Sequence, residues 1–76
     1  MQESIENLTD QEVQMIKLIL NTGTVHYSDI SKSIGRSRKT ISKYLDNIEE
    51  FLQGYHVALV RKRNVGIYFE GDMLLS

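Results

Sequence analysis

The sequence predicts an α+β domain: a three-helix core, a C-terminal β-hairpin and a short strand between the first two helices. Three observations carry this. Apolar residues recur at helical spacing between capping residues and glycines over residues 9–52. A three-residue break, Gly35-Arg36-Ser37, follows a segment of barely two turns. Two β-rich runs, Val57 to Lys62 and Gly66 to Glu70, flank Arg63-Asn64-Val65 with a glycine at the turn exit.

The first helix is expected from about Asp10 to Asn21. Thr9 and Glu12 have capping-box spacing, in which the threonine oxygen accepts from an orphan backbone N–H and the glutamate reaches back. Val13, Ile16, Ile19 and Leu20 follow at helical spacing with Met15 on the flank, and Gly23 marks the stop. "TVH", Thr24 to His26, is β-branched and short, enough for one minor strand.

Ser28 is the expected cap of the second helix, with Asp29 in the first turn where the dipole favours an acid. Gly35 can adopt the left-handed conformation that ends it. Ser37 can then cap a third helix, from Arg38 to about Leu52. Two helices joined by a short turn containing glycine form the helix-turn-helix pattern. Only tertiary packing could hold so short a second helix.

On the third helix Ile41, Leu45, Ile48 and Leu52 share one stripe, flanked by Tyr44 and Phe51, and are core residues. The opposite row is Lys39, Lys43, Asp46 and Glu50, with cations in the N-terminal half and acids in the C-terminal half. The macrodipole prefers the reverse by about 0.3–1 kcal/mol per exposed charge. A recognition helix explains the inversion, because its N-terminal residues face base edges and phosphates. On the bland reading Lys43 pairs with Asp46 and Lys39 is simply solvated.

In the hairpin Ile67 and Phe69 alternate with Tyr68 and Glu70, so one face can cover the helices. Arg61, Lys62 and Arg63 lie at or beside the tip. A basic tip after a helix-turn-helix suits a wing gripping phosphates or a minor groove. It equally suits an edge hairpin kept soluble by lysine and arginine.

Charge is unevenly divided. The chain has a formal net charge of −1, yet residues 1–31 hold five acids against Lys17, so eight of the nine cations fall between Lys32 and Arg63. Such separation can create a one-sided basic footprint on a slightly acidic protein. The 41% hydrophobic and 25% charged fractions are those of a globular domain. A chain of 76 residues buries about 60% of its unfolded surface, enough for one modest core.

With no cysteine there are no disulfides, thiolate metal sites or cysteine nucleophile. The acidic N-terminus is no signal peptide, and no apolar run is long enough to span a bilayer, so a cytoplasmic location is expected. His26 and His56 are thirty residues apart outside any metal-spacing motif, and no glycine-rich phosphate loop occurs; neither an enzyme nor a cofactor is expected. RNA binding is disfavoured because no platform of stacking aromatics is evident.

The stretches "SDISKSIGRSRKTISKYLDNI" and "LVRKRNVGIYFEGD" carry a resemblance to bacterial winged helix-turn-helix domains. In particular the chain resembles the N-terminal domains of sugar-phosphotransferase-linked transcription regulators related to mannitol and lichenan operon activators. The resemblance covers about Thr9 to Asp72. Its first half is shared with deoxyribonucleoside-type and biotin-operon repressors; the wing segment is more specific.

The resemblance implies sequence-specific duplex DNA binding by the N-terminal module of a regulator of carbohydrate uptake or metabolism genes. Histidine-phosphorylated regulatory domains would lie downstream. The alternative function is a winged-helix protein-interaction module without specific DNA binding. Expected DNA contacts are Arg36, Ser37, Arg38, Lys39, Thr40, Ser42 and Lys43 in the turn and recognition helix, Ser28 at the second helix N-terminus, and Lys62, Arg63 and Asn64 in the wing. Residues 1–8 are expected as a flexible segment, 9–71 as the DNA-binding domain, and 72–76 as the start of a linker or following domain. No membrane partner is expected, and any homodimer would form through regions outside this chain.

Overall fold

A computed structural model describes residues 8–71. The expected segment at residues 1–7 and the linker at residues 72–76 lie outside the described residues, whereas Leu8 packs against the core. The order is helix α1 (Asp10–Thr22), helix α2 (Tyr27–Ile34), helix α3 (Arg38–Phe51), a single 3₁₀ turn (Leu52–Gly54), strand β1 (Val57–Lys62) and strand β2 (Gly66–Gly71). Three helices followed by an antiparallel pair make an α+β fold, compatible with a winged-helix-like arrangement.

The local signals act largely as their chemistry requires. Thr9 caps α1: Glu12 N donates to Thr9 Oγ1 at 3.1 Å, while Thr9 N donates to Glu12 Oε1 at 2.8 Å. Gly35 ends α2 at φ 79°, in the left-handed region a side chain disfavours. Ser37 caps α3, its Oγ accepting from Thr40 N at 3.3 Å.

The start of α2 differs from expectation. His26 occupies the cap position and Asp29 accepts from His26 N at 3.1 Å, so Ser28 is the second residue of the helix and caps nothing. A carboxylate three residues into a helix can satisfy the cap N–H without a hydroxyl at the cap itself. The minor strand contracts to one bridge, where Val25 N donates to Ile67 O at 3.0 Å and Ile67 N to Val25 O at 2.7 Å.

The core lies between the helices and one face of the hairpin. Met15 and Ile19 enter it from α1, Ile30 from α2, and Ile41, Leu45 and Ile48 from α3. Val57, Leu59, Ile67 and Phe69 close it from below, with Leu59 opposite Phe69 in the strand register. The stripe on α1 is rotated from the expected one: Leu20 is 50% exposed, and the buried line is Glu12, Met15 and Ile19. A charged side chain takes a core-facing position because its oxygens are bound, by Thr9 N and by Asn47 Nδ2 at 3.1 Å.

Candidate nucleic-acid interface

Ser37 and Gly35 start α3 abruptly after α2, and the hairpin folds back so that its turn faces the starts of both helices. A groove of about 540 Å³ results, lined by Ser28, Arg38, Lys62 and Arg63 among the predicted residues. His26, Tyr27 and Arg61 line it too, and were not foreseen as part of a site. No carboxylate is among its lining residues. The groove therefore offers guanidinium, ammonium and hydroxyl donors to an oxyanion.

Two of its arginines are held by neighbours. The Arg38 guanidinium lies 4.3 Å from the centroid of the Tyr27 ring, a cation–π geometry. Arg61 reaches back across α3, its Nη2 at 2.6 Å from Asp46 Oδ1 and 3.0 Å from Glu49 Oε1. Partial burial disfavours the Arg61 charge, but Asp46, Tyr27 and Glu49 outweigh it and hold the guanidinium pKa above its ordinary value.

Arg61 does lie beside the hairpin tip, but its side chain is turned inward onto α3. In a period-two strand Val57, Leu59 and Arg61 share the inward face, and Arg61 stands opposite the buried Ile67. That alternation was the signal available in the sequence. The Lys43–Asp46 pairing is also not formed: among the described residues, Asp46 pairs with Arg61.

The remaining predicted residues divide between structural work and open surface. Arg36 is tied to α1, where the Gln11 side-chain oxygen accepts from its Nε and Nη2 at 3.1 Å each. The Gln11 amide nitrogen then faces the Tyr44 hydroxyl, the orientation required because a guanidinium can only donate. The Arg36 carbonyl also accepts from Ser31 Oγ. Ser37 and Thr40 are occupied with one another in the cap, with 3.2 Å between their hydroxyl oxygens.

Lys39 and Lys43 stand exposed one turn apart on α3, Ser42 is half-buried on the side toward Arg38, and Asn64 is exposed at the hairpin turn. The two ends of α3 consequently differ. Cations surround its start, while Asp46, Glu49 and Glu50 line a second groove near its end, beside β1.

Asn47, next to Asp46 on α3, holds the buried Glu12. No helix among the described residues is long and apolar enough to cross a membrane. The chain matches no protein-family model, no curated protein and no solved structure.

Proposed function

We propose that this domain binds duplex DNA as the winged helix-turn-helix module of a cytoplasmic bacterial transcription regulator, without catalysis. The observation that carries the reading is the carboxylate-free groove in which Arg38 at the start of α3 meets Lys62 and Arg63 of the hairpin. An α-helix fits the major groove of B-DNA, and the side chains at its N-terminal end are those that reach base edges. Lys39, Lys43, Ser42 and Arg38 would meet bases or phosphates there. Lys62, Arg63 and Asn64 would hold the adjacent backbone, and Ser28 would place the start of α2 against a phosphate.

The turn around Arg36 and Ser37 takes a supporting role, because its side chains already bind Gln11 and Thr40. The resemblance to sugar-phosphotransferase-linked regulators suggests genes of carbohydrate uptake or metabolism as targets. A single module of this size buries about 600–1,000 Å² on DNA, so tight operator binding would call for a second copy.

The test is a salt titration of binding to a mixed-sequence duplex by fluorescence anisotropy, with the wild type beside Arg38→Ala/Lys39→Ala/Lys43→Ala. Each lost phosphate contact flattens the log–log slope by about 0.9. A steep wild-type slope that flattens in the variant supports the reading. A folded wild type with no salt-dependent binding overturns it in favour of protein interaction.

A further inference from the structure

We infer that Tyr27 is the positioning residue of this interface: its ring holds the Arg38 guanidinium at the groove in advance of any DNA. The inference rests on the duplex-binding reading above.

An exposed arginine ordinarily samples many rotamers, and a ligand that engages it must stop that motion. Arg38 is exposed at the first position of α3, yet its guanidinium sits 4.3 Å from the Tyr27 centroid. Among the described residues it is the one cation placed over an aromatic ring. A ring engages the guanidinium through its π face and takes up none of its N–H groups as a conventional acceptor would, so these donors remain for a phosphate or a guanine.

Tyr27 is itself a fixed point. It is half-buried against the core as the first residue of α2, and its side chain favours the charge of the neighbouring Arg61. Arg61 is anchored in turn by Asp46 and Glu49. One aromatic side chain therefore joins the starts of two helices and the turn end of the hairpin at the point where a polyanion would enter. The ring orders Arg38, and the hydroxyl faces Arg61, which already has two carboxylate partners. Phenylalanine should therefore replace the tyrosine for this purpose, and leucine should not.

The experiment measures duplex affinity by anisotropy for the wild type, Tyr27→Phe, Tyr27→Leu, Arg38→Ala and the Tyr27→Leu/Arg38→Ala double variant. Tyr27→Phe is expected within about twofold of the wild type and Tyr27→Leu about two- to fivefold weaker. In the Arg38→Ala background the leucine change is expected to cost less than about 1.5-fold, because the group it positions is gone.

An undiminished cost in that background, or no cost in the wild type, overturns the positioning role while leaving duplex binding intact. A wild type that does not bind removes the duplex reading and this inference together, and that arm is scored first. If Tyr27→Leu does not fold, proton spectra of the free wild type and Tyr27→Phe decide. The Arg38 side-chain resonances should be shifted upfield by the ring in both; random-coil positions in the wild type would overturn the inference.

Discussion

Glu12 is 3% exposed, a placement that a carboxylate tolerates only when its oxygens are bound. Thr9 N and Asn47 Nδ2 bind them, so one residue completes a helix cap and ties α1 to α3. Glu12→Ala should cost about 1–3 kcal/mol in urea denaturation, combining a lost cap contact with the lost Asn47–Glu12 hydrogen bonds. Gly66 is constrained by space as well as by its φ of +127°. A Cβ there would stand 2.8 Å from both Val25 O and Thr24 Cγ2, at the bridge that joins β2 to the α1–α2 connection. Gly66→Ala is expected to destabilise by about 2 kcal/mol or more, with a lower urea midpoint and exchange protection lost first at Val25 and Ile67.

Among the elements, the hairpin and α3 are joined by a latch made of Arg61, Asp46 and Glu49. Both carboxylates are well exposed, at 69% and 49%, so solvent screens the pairing and it contributes only about 0.5–1 kcal/mol. Arg61→Met should leave global stability within about 1 kcal/mol of the wild type while accelerating amide exchange in the hairpin. The raised pKa of Arg61 fixes the sign of its pH response. A base whose folded pKa is raised contributes stability that is fully present below its unfolded pKa and lost as pH rises through the folded one, here only in strong alkali. From about pH 6 to pH 10 the guanidinium therefore keeps its charge, and denaturation midpoints of wild type and Arg61→Met should run parallel there; convergence would contradict the latch. α3 bears a cost of its own, with no acid in its first turn and no base in its last, which its packing against α1 and the hairpin must offset.

For the whole molecule, the fold sorts the cations of residues 32–63 into two groups. Arg36 and Arg61 are spent on intramolecular partners, whereas Lys32, Arg38 (over the Tyr27 ring), Lys39, Lys43, Lys62 and Arg63 stand exposed. If the duplex reading holds, Arg61→Ala should leave the slope of log affinity against log salt nearly unchanged. Lys62→Ala and Arg63→Ala should each flatten it by about 0.9 when the side chain meets a phosphate. Equal flattening for all three variants would mean that the latch opens on DNA. The core is small enough that single deletions matter: Leu45→Ala, at a fully buried position, should cost about 2–5 kcal/mol, much of the stability of a domain this size.

The element order, the cap at Thr9, the stop at Gly35, the turn exit at Gly66 and the inner faces of α3 and β2 can all be read along the chain. Those features arise from interactions within about four residues or from a strict period, so the order of residues states them directly. Which side chains are spent depends on packing between elements. Arg61 finds Asp46 fifteen residues away and Asn47 finds Glu12 thirty-five residues away, pairings no local pattern encodes. For the same reason the first helix was read with Leu20 inward: hydrophobic periodicity counts a glutamate as polar, and a partner from a distant helix turned Glu12 into a core residue. α2 starts two residues earlier than the Ser28 cap predicts, because Asp29 reaches back to the N–H of His26, which takes the cap position. The candidate groove was legible as a list of cations, but its floor was not. Tyr27 acquires a role only where folding lays Arg38 across its ring, and that proximity is a property of packing in three dimensions.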